Sequence, residues 1–290
     1  HLSLRRQRQM CIRDRSIGKA NATVTANSAN VTYTGVAQSV AGFTATGLVN
    51  GETTAVLTGV TTSGATGTNA ATYTNTIMGM ANNYNLTFVN GLQIIGKANA
   101  TVTANSANLT YSGRAQSVSG FTATGLVNGE TTAVLSSVTA SGATGTNVGT
   151  YTNTVLGTDS NYNLTFANGS LVIGKANATV TANSAKVTYT GLAQSVSGFT
   201  AKGLLNGETI SVLTGVTASS ATGTNAATYT HTVTGADSNY NLTLVNGELV
   251  IGKAGLVVTA DNKTRVYGDA NPSLTFTVTG FLNNETSLVI

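Results

Sequence analysis

The chain has little of what catalytic and disulfide-rich proteins need. Its 290 residues include one proline, one cysteine, two histidines and no tryptophan, and only 8% of them are charged. The single cysteine, Cys11, stands near the amino end, so disulfide bonds and thiol chemistry are excluded from the rest of the sequence. No apolar run approaches the roughly 18 residues that a membrane-spanning helix needs. The only histidines are His1 and His231, and the single glutamate of each Asn-Gly-Glu loop has no paired carboxylate nearby in sequence, so we expect no catalytic residue, no cofactor and no enzyme activity.

The net charge of +4 comes from the first fifteen residues, which hold five arginines and one aspartate. The rest of the chain has nine basic and nine acidic residues and is therefore neutral. A neutral chain offers no basic face to nucleic acid, so we expect no nucleic-acid partner. Residues 1–15 share no pattern with the rest of the chain and resemble an artefact of sequence assembly. We expect residues 1–16 to be a non-native or disordered head.

A long internal repeat dominates the remainder. The segment Ile-Gly-Lys-Ala occurs four times at intervals of 78 residues, with its lysines at Lys19, Lys97, Lys175 and Lys253. A period of this length is typical of one small domain copied head to tail. We expect repeat one at residues 17–95, repeat two at 96–173, repeat three at 174–251 and a truncated repeat four at 252–290.

Within each repeat, apolar and polar residues alternate with the period of two that β-strands require. In repeat three the pattern predicts strands at residues 178–182, 186–189, 198–202, 212–218 and 227–234. Threonine, valine and tyrosine dominate these segments, which suits half-buried pleated surfaces. The segment at 206–213 could instead begin as one short helical turn, and both interpretations stay open.

The end of each repeat carries a second pattern. In repeat two, Asn168-Gly169 separates the alternating run at 162–166 from the apolar residues Leu171 and Ile173. An Asn-Gly pair between two such runs predicts a two-residue hairpin, because a type I′ turn needs positive φ at both central residues. In repeat one this pattern points Gln93 inward and Leu92 outward, so we expect a poorer hairpin there.

These patterns predict an all-β fold. We expect a tandem array of small β-sandwich or β-grasp-like domains, with one short helical turn in each repeat as an option. The join between consecutive repeats is about four residues long, which leaves little freedom between them. We therefore expect a semi-rigid, elongated and monomeric rod. The piece after Ile251 lacks the closing strands of a repeat, and we expect it to be unstable by itself.

The fourth repeat resembles a known family most clearly. It contains Tyr267-Gly268-Asp269 followed by Asn271-Pro272, and later Asn283-Asn284-Glu285-Thr286. These residues resemble the bacterial MBG and YDG β-repeat domains of filamentous-haemagglutinin-like surface adhesins. The first three repeats resemble a related subtype through Tyr33-Thr34-Gly35 and the segment at 46–52. The resemblance implies a small, mainly β domain with a structural or adhesive role, and it implies no catalytic residues.

Several polar residues are candidates for a site. Asp159 and Asp237 begin segments that imitate a calcium loop, but both segments lack its sixth-position glycine and closing glutamate. We therefore interpret them as polar turns that hold no metal. His231 replaces Asn75 and Asn153 of the sister repeats, and we expect it on a solvated strand face. Most of the tyrosines are expected at the core edge, with buried rings and solvated hydroxyls.

The sequence favours a structural role outside the cell. We expect a stalk or spacer segment of a secreted or surface-exposed bacterial adhesin, which projects a distal binding domain. Near-identical repeats suit this function because a spacer needs length more than it needs distinct sites. The alternative is that the repeats bind host glycan or protein weakly and multivalently. Its candidate surface is the Asn-Gly-Glu-Thr loop, which contains Glu52, Glu130 or Glu208.

Overall fold

A computed structural model describes residues 16–286 of the protein. The expected head at residues 1–16 therefore lies almost wholly outside the described residues. The described chain is built from β-strands, with one short 3-10 turn in each of the first three repeats. Within residues 16–286 no helix is long and apolar enough to cross a membrane.

Repeat one contains ten strands and a 3-10 turn at Thr54–Val56. The strands are β1 (Ala20–Ala26), β2 (Ala29–Thr32), β3 (Gln38–Val40), β4 (Phe43–Thr46), β5 (Gly59–Thr62), β6 (Ala65–Gly67), β7 (Thr72–Asn75), β8 (Ile77–Met80), β9 (Tyr84–Val89) and β10 (Gly91–Gly96).

Repeat two has the same order of elements, with its 3-10 turn at Thr132–Val134. The strands are β11 (Ala98–Ala104), β12 (Ala107–Thr110), β13 (Gln116–Val118), β14 (Phe121–Thr124), β15 (Val138–Ala140), β16 (Ala143–Gly145), β17 (Gly149–Asn153), β18 (Val155–Gly157), β19 (Tyr162–Ala167) and β20 (Gly169–Gly174).

Repeat three follows the same plan, with its 3-10 turn at Ile210–Val212, and repeat four contributes one described pair. The strands are β21 (Ala176–Ala182), β22 (Ala185–Thr188), β23 (Gln194–Val196), β24 (Phe199–Lys202), β25 (Val216–Ala218), β26 (Ala221–Gly223), β27 (Thr228–His231), β28 (Val233–Gly235), β29 (Tyr240–Val245), β30 (Gly247–Gly252), β31 (Val257–Ala260) and β32 (Phe276–Thr279).

Each repeat has two lobes, which we define on repeat one. The N-lobe consists of the sheet β4-β1-β9 and the pair β5-β8, and the C-lobe consists of the sheet β2-β10-β7 and the pair β3-β6. The chain therefore passes between the lobes five times, and each passage is one long strand with a break at its middle. The first and last of these long strands lie parallel, because β1 pairs with β9 and β2 pairs with β10 in parallel register.

A belt of polar groups marks the breaks between the two lobes. In repeat one, the Asn75 side chain accepts a hydrogen bond from the Gly64 N–H at 3.1 Å and donates one to the Asn27 carbonyl at 3.1 Å. The Asn27 amide in turn donates to the Ala41 carbonyl at 2.9 Å. Backbone groups that leave a sheet ladder must find other partners when they are buried, and these asparagines supply them.

The closing Asn-Gly pair does not form the predicted hairpin. Strand β19 pairs with β11, while β20 pairs with β12 in another sheet, so the two runs around Asn168 are not partners. The glycine is required for a close approach instead. In repeat one a Cβ atom on Gly91 would lie 2.2 Å from the Asn27 carbonyl oxygen, and the Asn90 side chain accepts from the Ile77 N–H at 3.1 Å.

The predicted strands of repeat three are otherwise mostly confirmed. The segment at 212–218 begins as the 3-10 turn, so the helical alternative is correct for Ile210–Val212 and the strand starts at Val216. The segment at 227–234 is interrupted at Thr232, where the chain crosses the polar belt. The two short strands β23 and β26 were not predicted. The inward position expected of Gln93 is confirmed, since this residue is 1% exposed while Leu92 is 40% exposed.

His231 is buried, so the expected solvated position was wrong. Its Nδ1 atom donates to the Asn183 carbonyl at 2.8 Å, in the place that the amide of Asn75 or Asn153 takes in the sister repeats. A strand face that carries an asparagine looks solvated from sequence, but here the asparagine belongs to the buried belt. The Nε2 atom of His231 has no hydrogen-bond partner among the described residues.

The described chain divides into two compact units that do not follow the repeat boundaries. Unit one contains the residues up to Asn105, Ser119–Gly142 and Thr152–Gly169. Unit two contains Ser106–Val118, Ala143–Tyr151 and the residues from Ser170 onward. Unit one thus combines repeat one with the N-lobe of repeat two. Whether each 78-residue repeat folds by itself stays a prediction.

The buried side chains explain this division. In unit one, Tyr33 and Ile95 from the C-lobe of repeat one share a hydrophobic cluster with Val102, Leu135 and other N-lobe residues of repeat two. In unit two, a cluster of the same kind joins the C-lobe of repeat two to the N-lobe of repeat three. The C-lobes of repeats one and two therefore bury apolar residues against the N-lobe of the following repeat.

The close approach at Gly91 gives a test of the lobe crossing. We expect Gly91→Ala to lower the free energy of unfolding by about 1–3 kcal/mol, because the new methyl group must displace backbone atoms. Gly96, at the other end of β10, is the matched control, since a Cβ there would lie 3.7 Å from its nearest neighbour, the Val31 oxygen. Urea unfolding curves measure both variants, and an unchanged midpoint for Gly91→Ala would contradict the close approach.

Candidate functional site: the joint between repeats

The loop that carries the repeated glutamate forms a type I′ turn. In repeat two, Asn128 and Gly129 have φ angles of 53° and 71°, and the Glu130 N–H donates to the Val127 carbonyl at 2.9 Å. Two consecutive positive φ angles are tolerated by Asn-Gly and by few other pairs. The type I′ turn expected at Asn168-Gly169 is thus formed by the other Asn-Gly pair of the repeat.

The Glu130 carboxylate binds two tyrosines from different repeats. The Tyr33 hydroxyl of repeat one donates to Oε1 at 2.5 Å, and the Tyr162 hydroxyl of repeat two donates to Oε2 at 2.5 Å. The two rings meet edge to face, with centroids 5.4 Å apart and planes at 82°. Tyr162 also accepts a hydrogen bond from the Val127 N–H at 2.9 Å. Both oxygens of the carboxylate are therefore engaged in a link between repeats.

A glycine two residues after the first tyrosine completes the link. The Asn128 amide donates to the Gly35 carbonyl at 3.2 Å. A Cβ atom on Gly35 would lie 2.7 Å from the Asn128 Cβ, and the φ angle of Gly35 is 75°. Glycine is therefore needed both for its conformation and for the close contact. We call the Tyr-x-Gly segment the donor, and the Asn-Gly-Glu turn with its own tyrosine the acceptor.

Unit two contains the same link once and a similar contact, with one tyrosine among the described residues, a second time. Between repeats two and three, Tyr111 and Tyr240 both donate to Glu208, and the Asn206 amide donates to the Gly113 carbonyl at 2.9 Å. Between repeats three and four, Tyr189 donates to Glu285, and the Asn283 amide donates to the Gly191 carbonyl at 2.9 Å. The fourth repeat differs in sequence, so its use of this contact identifies the link as the shared feature of the joints.

A second contact supports the first joint. The Asn161 side chain of repeat two accepts from the Ala70 N–H of repeat one at 2.9 Å and donates to Asn69 Oδ1 at 3.2 Å. Lys97 is the only residue between β10 and β11, and its ammonium group donates to the Asp159 carbonyl at 2.7 Å. The join is shorter than the four residues expected, and it is fixed by contacts on both sides.

The carboxylates keep the tyrosines in their neutral form. The hydrogen bond to Glu130, together with burial, raises the pKa of Tyr33 to about 12. The bond to Glu208 and burial do the same for Tyr111, whose pKa is also raised to about 12. For Tyr162, burial is the larger cause and the bond to Glu130 the second, and they raise its pKa to about 12. A phenolate here would face a carboxylate in a partly buried site, which is unfavourable.

The structure places the other candidate residues in local roles. Asp159 Oδ1 accepts from the Asn161 and Tyr162 N–H groups at 2.7 and 3.0 Å and so caps the turn that leads into β19. The tyrosines of the joints are buried as expected, but their hydroxyls bind glutamate, so the expectation of solvated hydroxyls was wrong for them. Tyr267 is fully exposed, so the expected core-edge position was wrong there. The joint itself was not predicted. Its residues could have been found from the sequence, since the tyrosine, glycine and glutamate recur together with the repeat period.

Comparison with known protein families matches each of the four repeats separately. A family model described as MBG domain (YGX type) matches residues 22–92, 100–172, 178–250 and 256–290. No curated protein matches the sequence.

Several solved structures show remote similarity. The N-terminal eight Ig domains of Down Syndrome Cell Adhesion Molecule match at 10% identity and a TM-score of 0.19, covering 91% of this chain and 45% of that one. The Bacteroides ovatus glucan-utilization protein SGBP-B, in complex with a mixed-linkage heptasaccharide, matches at 11% identity and a TM-score of 0.17, covering 84% of this chain and 72% of that one. Drosophila N-cadherin EC1-4 matches at 12% identity and a TM-score of 0.17, covering 62% of this chain and 58% of that one. The chain spans less than half of the first structure, and TM-scores this low support no conclusion on function.

The glutamate gives a direct test of the joint. We expect Glu130→Gln to lower the free energy of unfolding by about 2 kcal/mol, because an amide can accept from one tyrosine but presents N–H groups to the other. Glu248→Gln is the control, since the side chain of Glu248 is exposed on β30. Chemical denaturation measures both variants, and equal stabilities would show that the carboxylate is dispensable.

The raised tyrosine pKa values predict a loss of stability in alkali. The folded state holds these phenols neutral up to about pH 12, whereas an unfolded tyrosine ionises near pH 10. The stabilisation is therefore complete below pH 10 and is lost as the pH rises towards 12. Thermal unfolding from pH 8 to 12 should show a midpoint that falls steeply only above pH 10. A midpoint that stays constant from pH 10 to 12 would be inconsistent with the tyrosine contacts.

Proposed function

The chain belongs to the family of MBG domains of the YGX type, and from this premise we propose that it is a non-catalytic spacer array in a bacterial surface adhesin. Its repeats set the distance between the cell and a separate binding domain. In this function the length and mechanical continuity of the chain matter most. The repeated residues hold neighbouring repeats together and do not act chemically on a substrate.

The joint between repeats one and two is the observation that carries this proposal. One residue connects the two repeats, a hydrophobic cluster continues across the boundary, and Glu130 joins a tyrosine from each side. A flexible linker between independent binding domains would have none of these features. A load applied along the chain is instead carried by strand pairing and side-chain packing across the boundary.

The outer face of the N-lobe supports a location outside the cell. In repeat one, Thr46, Thr23 and Thr87 form a row across the three strands β4, β1 and β9, and all three side chains point away from the buried residues. The surface thus gains its solubility from hydroxyl and amide groups, because only 8% of the residues are charged. We propose that the parent protein is secreted or displayed on the bacterial surface.

The alternative function, weak multivalent binding by the Asn-Gly-Glu-Thr loop, is less well supported. In repeat two the Asn128 amide and both oxygens of Glu130 are already bound to residues of repeat one or to Tyr162. In repeat three Asn206 and Glu208 are engaged in the same way. A ligand would have to displace these contacts, which costs the joint its hydrogen bonds.

Glycan binding and mechanical resistance separate the two functions. For the full chain we expect no glycan above background on an array, because the polar groups of two acceptor turns are occupied. We also expect repeated unfolding steps when single molecules are stretched end to end, with lower forces for Glu130→Gln than for Glu248→Gln. Reproducible binding of one glycan class, together with extension at negligible force, would favour the alternative.

A further inference from the structure

Strand β24 forms a free edge of the N-lobe sheet of repeat three. It lies at the end of the sheet β24-β21-β29 and pairs with β21 alone. The Asn183 N–H donates to the Gly198 carbonyl in this ladder, and hydrogen-bonded pairs alternate with non-bonded pairs along antiparallel strands. The backbone groups of Phe199 and Ala201 therefore point away from β21, and they have no hydrogen-bond partner within residues 16–286. Two N–H and two C=O groups are thus open to a further strand.

A groove lies beside this edge. Its volume is about 410 Å³, and its lining includes Phe199, Ala201, Leu204, Glu208, Thr209 and Ile210. Ile210 is 45% exposed, whereas the side chains of Phe199, Ala201 and Leu204 are half-buried. Glu208 also binds Tyr111 of repeat two, so the groove continues into an interface that the chain already forms. An added strand would point every second side chain into this groove.

Repeat three differs from its sister repeats at this groove. The changes are Lys202 in place of Thr46 and Thr124, and Ile210 in place of Thr54 and Thr132. Lys202 is exposed at the end of the edge strand, between the lining residues Ala201 and Gly203. The nearby carboxylate of Glu208 already accepts from two tyrosines. Two substitutions thus add a cation and an apolar wall to one groove.

The lysine also decides which partner fits the edge. A lysine on an edge strand opposes pairing with a second copy of that strand, because the two ammonium groups repel each other. A partner strand with a carboxylate opposite Lys202 is attracted instead, since oppositely charged cross-strand pairs stabilise a sheet. The edge of repeat three is therefore suited to an acidic segment of a different protein.

We propose that β24 binds an extended acidic peptide segment of another protein as an added antiparallel strand. The residue opposite Lys202 carries a carboxylate, and the residues opposite Ala201 and Phe199 carry apolar side chains that point into the groove. From its amino end the segment therefore reads acidic, apolar, polar, apolar, because antiparallel pairing reverses the order of the partners. In complexes of this kind the backbone hydrogen bonds give affinity and the alternate side chains give specificity.

A synthetic peptide tests the proposal. The probe is acetyl-Ser-Glu-Val-Thr-Val-Ser-amide, and calorimetric titration into the full chain measures its affinity and stoichiometry. We expect saturable binding of one peptide per chain. Ala201→Pro should weaken this binding at least tenfold, because proline removes the outward N–H while the bonds to β21 stay intact. Ala45→Pro makes the same change on the edge strand of repeat one and should leave the affinity unchanged.

Charge reversal tests the pairing with Lys202. Lys202→Glu should weaken binding of the probe at least fivefold, and it should restore binding when the glutamate of the peptide is replaced by lysine. Lys186→Glu is the matched control, since Lys186 is exposed on β22 of the same repeat. Equal affinities of the two peptides for a folded Lys202→Glu chain would contradict the assigned pairing.

Repeat two allows a gain of binding. Thr124→Lys together with Thr132→Ile gives it both residues that distinguish repeat three, and we expect this variant to bind two peptides per chain. A double variant with an intact β-type circular dichroism spectrum that still binds one peptide would refute the role of these residues.

Two results with the original chain would overturn the proposal as a whole. The first is the absence of saturable binding of the probe. The second is self-association in sedimentation velocity runs that Ala201→Pro abolishes, because a second copy would then occupy the edge. Neither result depends on the spacer function, which the glycan and stretching experiments address separately.

Discussion

One carboxylate that binds two tyrosines is the interaction on which the order of repeats depends. Glu130 accepts a hydrogen bond from a tyrosine hydroxyl of its own repeat and another from the preceding repeat, so its two oxygens are both bound only when the two repeats meet. Hydrogen bonds to an ionised group are stronger than those between neutral groups, and partial burial strengthens them further. The turn at Asn128-Gly129 and the glycine at Gly35 are needed as well, because the tyrosines reach the carboxylate only if the two backbones lie close together.

Packing between lobes explains why the sequence repeat differs from the compact unit. A lobe is about half of a 78-residue repeat, and the core that it can form by itself is small. The C-lobe of repeat one therefore shares buried residues with the N-lobe of repeat two, while the two lobes of repeat one meet at a belt of asparagine and glycine. The polar belt satisfies backbone groups where five long strands change sheets. The sequence period thus gives the length of the repeated unit, whereas the clusters of buried residues show which parts of the chain pack together.

Particular residues show how far the sequence could be interpreted. Alternation placed most strands of repeat three and put Gln93 inside, because both depend on a local period of two. The Asn-Gly rule was chemically sound and applied to the wrong pair, since Asn128-Gly129 has the positive φ angles and Asn168-Gly169 does not. His231 was placed in solvent because an asparagine in the sister repeats suggested a polar face. Its burial becomes evident only when the carbonyl of Asn183 is seen to lie against it.

The sequence by itself determined the all-β class, the 78-residue period, the family and the chemistry available at each turn. The fold class and the turn chemistry follow from side-chain alternation and from the φ angles that glycine and asparagine tolerate, and both are local. The period follows from residues that recur every 78 positions, and the family from the resemblance of its motifs. Only the tertiary structure decided that the first and last long strands of a repeat run parallel, that the C-lobes of repeats one and two pack against the next N-lobe, and that Tyr33 meets Glu130 across 97 positions of the chain. Pairings of this kind depend on which distant segments can bury their apolar faces together, and no local pattern specifies that choice.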